Sequence, residues 1–381
     1  MGPETVIISG LTPLRGIAAL LVAVFHFNVL IVNFVQPQNS MFLAKSYMMV
    51  DLFFIMSGFI IMHVYKDNFA AEVSFRSFKK YILARFARIY PLHLFTLLFM
   101  VAVFYISRAP SNPIDNPAAI PTNIFLLHSF GIHRVFTWNV PSWSISAEWW
   151  AYVLFPLLCL FIFKKRKLAV VTITFFIILS YISIMYFLPR HDPFNPVAIV
   201  PHNLDVSYDY GFLRGIAGFM TGTLMYLLYQ NARIKKIFSA DILCIFFAAL
   251  LVVIMHFGVS DIVYIPAFAL LVLSIVSNHS VVSNVLNNRV FQFLGRISYS
   301  IYLVHGIIIS LIIPVLIISG VGYHGPVILS FLKGFLFCAG YLLIVIAVSA
   351  LTYRTIELPC RKWINRNWAK RQFKPVPLAV A

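Results

Sequence analysis

Acidic residues are scarce in this sequence. It has 12 Asp and Glu against 29 Lys and Arg, and charged residues of both signs make up only 11% of its 381 positions. A soluble domain carries about a quarter. Cysteine is scarce as well: Cys159, Cys244, Cys338 and Cys360 are scattered without a CxxC pair. That argues against a disulfide framework and against a thiolate metal site. There is no HExxH, and His128 and His133 of HSFGIH are spaced i, i+5 in a loop region, which suits no metal. Walker-type and dinucleotide glycine patterns are missing, as is any internal repeat. Strands of alternating polarity, which a transmembrane β-barrel needs, are missing too. No small-residue cleavage site follows the first apolar run, so that run reads as a retained helix and not a signal peptide. Paired Gly/Pro interruptions in corresponding halves are lacking, which weakens a secondary-transporter reading.

What the chain has in abundance is apolar length. Hydrophobic residues make up 61% of it, in runs of about twenty, the length that spans a bilayer. The runs fall near 12–34, 47–65, 84–106, 141–163, 168–188, 210–230, 239–257, 262–278, 297–319 and 326–353. The expected fold class is therefore an all-α integral membrane protein with about ten transmembrane helices. The net charge of +17 does not point to nucleic acid, because its distribution follows the positive-inside rule. With the N-terminus inside, the inner loops hold Lys66, Arg76, Lys79 and Lys80, then the run Lys164 to Lys167, then Arg233, Lys235, Lys236, Arg289 and Arg296. The tail adds Arg354, Arg361, Lys362, Arg366, Lys370, Arg371 and Lys374, whereas the outer loops hold only Lys45, Arg108, Arg134 and Arg190. This predicts an N-in, C-in topology. Residues 1–363 read as one transmembrane domain and 364–381 as a basic cytoplasmic tail. The proline-rich segments 107–140 and 189–209 read as shaped outer loops.

Ionisable groups inside spans are costly and mark candidate sites. His26 lies roughly 21 Å into the first span, too deep to reach the interface. Arg15 precedes it by eleven residues, about 20° past three full helical turns, so the two share one face about 16 Å apart. Glu148, roughly 10 Å deep from the outer end of the fourth span, matches the depth of His26 and is a candidate orienter for it. Asp51 either joins this polar cluster or caps its helix. Ser57 and Gly58 read as close-packing residues. Arg85 and Arg88, three apart in RFAR, form either ordinary positive-inside charge or a fork for an anion. His305 is deep in the ninth span. Arg214 and Lys333 either snorkel outward or face the acceptor. Trp143, Trp149 and Trp150 crowd the outer end of the fourth span as an aromatic belt would.

Six stretches, LTPLRGIAALLVAVFHF, VDLFFIMSGFII, RFARIYPLHLF, PSWSISAEWWAYVLFP, FLGRISYSIYLVHGIII and YRTIELPCRKW, together resemble the acyltransferase-3 family of integral membrane acyltransferases. They run in the family's order from residue 11 to about 363. The resemblance implies ten core helices and O-transfer of an acyl group, often acetyl, from cytoplasmic acyl-coenzyme A to a sugar hydroxyl of an envelope or secreted glycan. It implies essential roles for Arg15 and His26, matches Arg85 and Arg88 to an RxxR motif, and places Glu148 on an acidic position. On this basis His26, Glu148 and Asp51 are the catalytic candidates, and Arg15, Arg85 and Arg88 the donor-binding ones. Ser142, Trp143, Tyr302 and His305 are the substrate-contacting candidates. No metal and no permanently bound cofactor is expected; the partners are acyl-coenzyme A as co-substrate, a carbohydrate acceptor and membrane lipids, in a bacterial cytoplasmic membrane. The rival from another class is a transporter or flippase of lipid-linked sugars, which would use the same buried polar residues as a path.

Overall fold

The structure, a computed structural model, describes residues 10–107, 114–189, 202–318 and 326–372. Arg108, Arg190, Lys374 and the last part of the expected tail, 373–381, lie outside the described residues. The described helices are α1 (Leu11–Leu30), α2 (Met49–Phe69), α3 (Phe75–Ser107), α4 (Ile120–Ile124), α5 (Trp143–Lys164), α6 (Arg166–Ile182), α7 (Gly211–Tyr229) and α8 (Ala232–Phe238). They continue with α9 (Asp241–Phe257), α10 (Tyr264–Ser277), α11 (Val281–Leu286), α12 (Arg289–Arg296), α13 (Ser298–Ile318), α14 (Phe331–Thr352) and α15 (Leu358–Gln372). Two short strands, β1 (Val32–Asn33) and β2 (Val327–Ile328), pair in parallel and tie the end of α1 to the start of α14.

Among the described residues, eight helical segments are long and apolar enough to cross a membrane. They become nine if α8 and α9, bent by 68° at their junction, count as one broken span. Of the ten expected crossings, 262–278 corresponds to the shorter apolar helix Asp261–Ser277, near the lower limit for spanning a hydrocarbon layer of about 30 Å. The third helix starts at Phe75 and not near 84, so the two arginines of RFAR sit three turns inside it. The last segment runs from Phe331 to Asn367 through one wide π turn, Tyr353–Glu357. No break falls at residue 363, and 364–372 continue the helix. The first expected loop, 107–140, contains the short helix α4.

Lipid tails offer no hydrophobic gain for bringing helices together, so close packing has to do it. The central contact is α2 against α7. A Cβ on Gly58 would lie 1.9 Å from the Phe219 carbonyl oxygen, and one on Gly222 would lie 1.9 Å from that of Ile55. Glycine on both helices lets the backbones touch. Around this pair one large apolar core takes in α5 and α10, while a second gathers α1, α13 and α14. Leu126 and Trp138, neither of them glycine, hold a positive φ of 56°. The Leu126 carbonyl accepts hydrogen bonds from Ser146 Oγ at 2.6 Å and Trp150 Nε1 at 2.8 Å, both on α5.

Candidate active site

Arginines from two helices converge on one cleft. Arg15 of α1 and Arg85 and Arg88 of α3 line it, together with Ser57 of α2, Ser144, Glu148 and Tyr152 of α5, and Tyr299 and Tyr302 of α13. The cleft and its open mouth together hold about 730 Å³ of space between atoms, solvent at the mouth included. Arg88 is paired with Glu357, whose other oxygen accepts from Ser300 Oγ at 2.9 Å. Arg85 donates from Nη2 to the Tyr65 hydroxyl at 3.0 Å and lies over the Tyr65 ring at 5.1 Å. Its Nε is buried without a partner. Arg15 lines the cleft without forming an ion pair to any described residue. Glu148 Oε1 accepts from Ser57 Oγ at 2.8 Å and from the Tyr152 hydroxyl at 2.5 Å. Among the described residues Glu148 is the one carboxylate lining the cleft with Arg15, Arg85 and Arg88, and guanidinium forks are groups that can grip an anion.

Behind the cleft lies a pair of histidines. His305 Nε2 is 3.2 Å from His26 Nδ1, and the ring centroids are 5.0 Å apart. The Tyr302 ring, which lines the cleft, meets His305 edge-on at 5.8 Å and Phe53 at the same distance. Its hydroxyl is hydrogen-bonded to Ser144 Oγ at 2.8 Å. Tyr302, lining the cleft and meeting His305, thus stands between the arginines and the imidazoles. Arg15 at one end of α1 reaches the cleft, and His26 eleven residues on reaches the histidine pair.

The expected partners of His26 are placed elsewhere. Asp51 is held by Arg214, whose Nη2 lies 2.5 Å from Asp51 Oδ2, with side chains 1% and 0% exposed. An arginine buried on α7 needs a counter-ion, and Asp51 on the touching helix supplies it. Asp51 therefore makes no bond to His26. Glu148 shares the expected depth but faces α2 and the arginines, because depth arithmetic fixes the rise along a helix and not which neighbour its face meets. Ser142 is buried, with Oγ 3.1 Å from His128 Nε2, and Trp143 is buried under the Arg214 guanidinium at 5.4 Å. Neither lines the cleft, and Trp143 is packed inside the bundle where a belt residue was expected. Arg214 faces inward; Lys333 is exposed. Gly58 is the packing residue expected, but Ser57 beside it is a cleft residue.

Glu357, Tyr152 and Tyr65 were not legible as site residues. Glu357 did leave a signal. It is the lone acid in a stretch whose other charges, Arg354, Arg361 and Lys362, are all basic. Tyr47, Lys45 and Asp261 form a further buried knot: Tyr47 donates to Asp261, Lys45 Nζ lies 2.6 Å from it, and the Leu204 amide donates to it at 2.7 Å. Nothing in their spacing brings them together.

Fold and cleft define a multi-pass helical membrane protein with a buried, arginine-lined site. Residues 8–354 match the family model described as an acyltransferase domain, and the chain belongs to that family. It is 30% identical to acyltransferase MdmB of Streptomyces mycarofaciens over 41% of this chain and 40% of that protein. Protein 2 in the picA locus of Rhizobium radiobacter is 37% identical over 30% of this chain and 54% of its own. O-acetyltransferase OatA of Staphylococcus aureus is 25% identical over 93% of this chain and 57% of its own. The matches thus span between two fifths and three fifths of these relatives' lengths. No solved structure matches the chain.

Proposed function

We propose that the protein is a membrane O-acyltransferase that moves an acyl group, acetyl foremost, from cytoplasmic acyl-coenzyme A to a hydroxyl of an envelope or secreted glycan. The observation that carries the reading is the cleft-lining Arg15 beside the half-satisfied Arg85. Two guanidiniums with donors to spare fit the phosphates of the donor. The pantetheine arm then runs along the shared face of α1, past Tyr302, to His26. His26 takes the proton of the acceptor hydroxyl on Nε2 as the oxygen attacks the thioester carbonyl. The tetrahedral adduct expels the thiolate, which receives that proton, leaving an ester and free coenzyme A thiol. Glu148 limits the positive charge of the cleft and does not touch the base.

The positive charge of the inner loops supports an N-in, C-in topology, and in this reading the membrane is the bacterial inner membrane and the donor enters on the arginine side. The carbohydrate acceptor approaches from the other face. The experiment is release of free thiol from acetyl-coenzyme A by the purified protein, with mass spectrometry of envelope glycans from cells with and without it. A flippase would release no thiol. If His26→Ala turned over at the wild-type rate, the proposed chemistry would be wrong.

A further inference from the structure

We propose that His305 is the positioning residue for His26, acting as a neutral imidazole with no carboxylate among the described residues behind it. This deepens the active-site reading above and rests on it. A backbone carbonyl can only accept, so the 3.1 Å contact between His305 Nδ1 and the Ile301 oxygen puts the His305 proton on Nδ1. Neutral His305 then carries its lone pair on Nε2, the atom that faces His26 Nδ1 at 3.2 Å. His26 Nδ1 also lies 3.0 Å from the Val22 oxygen, again an acceptor only. One assignment satisfies all three contacts. Both rings carry Nδ1–H, and the His26 proton is shared between the Val22 oxygen and His305 Nε2. The bare nitrogen of His26 is then Nε2, where the proposed reaction needs its base.

In a Ser-His-Asp triad a carboxylate holds the far side of the imidazole. Here, among the described residues, the acids of the core and the cleft are committed elsewhere: Asp51 to Arg214, Glu148 to Ser57 and Tyr152, Asp261 to Lys45 and Tyr47, and Glu357 to Arg88 and Ser300. The Val22 oxygen is a poor substitute, because it is the i−4 carbonyl of the same helix and already serves the backbone ladder. When Nε2 takes up a proton, the positive charge spreads over the ring and Nδ1–H becomes a stronger donor. His305 Nε2 is placed to receive it. The ring of His305 is fully buried, with the Tyr302 ring edge-on at 5.8 Å. Its own helix is fixed by Asn139, which donates to the Leu303 oxygen at 3.1 Å.

The test compares His305→Gln, whose amide oxygen replaces the Nε2 acceptor, with His305→Leu, which fills the space without one. Both are made in the full chain, reconstituted in nanodiscs with acetyl-coenzyme A. In His305→Leu, kcat falls about a hundredfold or more, while KM for the donor holds because the arginine cleft is untouched. His305→Gln recovers most of the lost kcat. Nitrogen NMR of histidine-labelled wild-type protein finds His26 protonated at Nδ1; protonation at Nε2 instead overturns the proposal without any variant. So does a Gln variant that melts like the wild type and is as inactive as the Leu one, since that outcome marks a packing role. His26→Ala, run alongside, separates the two levels. Activity kept there removes the active-site reading and this proposal with it; activity lost there and kept in His305→Leu removes this proposal alone.

Discussion

Arg214 closes on Asp51 at 2.5 Å where α7 packs against α2, with neither side chain reaching solvent. Arg214 also donates to the Val206 and Tyr47 carbonyl oxygens and lies over the Trp143 and Tyr47 rings. Removing either partner strands a charge in a dry interior, which costs about 3–5 kcal/mol. Asp51→Ala is therefore expected to lower the melting temperature in detergent sharply. The fraction that stays folded keeps its turnover per molecule. Normal stability with lost turnover would return Asp51 to the catalytic machinery.

Arg15 is expected to act on the donor and not on the fold. A charge-assisted hydrogen bond is worth about 1.5–3 kcal/mol, so Arg15→Met raises KM for acetyl-coenzyme A by about ten- to a hundredfold. Arg15→Lys keeps the charge, loses the planar fork, and falls between. Isothermal binding of desulfo-coenzyme A checks the same ordering without turnover. Equal affinity in all three proteins would remove Arg15 from the donor site.

Tyr302 is expected to set the length of the acyl group. Its ring separates the cleft from the histidines, and its hydroxyl holds Ser144. Tyr302→Phe keeps the ring and changes little. Tyr302→Ala opens room for further methylenes, each worth about 1–3 kcal/mol in an apolar pocket. The ratio of butyryl to acetyl transfer therefore rises about tenfold or more. An unchanged ratio would place the acyl group away from Tyr302.

The topology has its own check. A cysteine introduced at Lys167 is expected to react with an impermeant maleimide only after the cells are opened, and one at His256 in intact cells. Cys159, Cys244 and Cys338 are buried and Cys360 is half-buried, so the background is low. The reverse pattern would invert the donor and acceptor faces.

The sequence carried the membrane class and nearly all the helices, because apolar length is a local property. It carried the shared face of Arg15 and His26 for the same reason, since helical phase is counted within one segment. It did not carry the partner of His26. Glu148 and His305 both lie at plausible depths, and which one faces α1 depends on how α5 and α13 rotate against their neighbours. Nor did it carry the pairing of Asp51 with Arg214, which are 163 positions apart. Ser57 reads as a small packing residue beside Gly58, yet Gly58 makes the backbone contact and Ser57 bonds the cleft carboxylate. The difference is one helical step.

The π turn at Tyr353–Glu357 bears on which changes of length the chain tolerates. A π turn holds one residue more than the helix around it needs. Glu357 lies at its end and reaches Arg88 and Ser300 from there. Deleting a single residue in this turn would restore an ordinary helix and leave the segment beyond it close to its present phase, because the wide turn is what absorbs the extra residue. Deleting one residue within the regular helix α14 would instead rotate everything beyond it by about 100°. The carboxylate would then leave Arg88, although no residue of the cleft had been substituted. Deletions in α14 are thus expected to be far more damaging than deletions in the turn or past Asn367, and the three make a graded set for a length-scanning library.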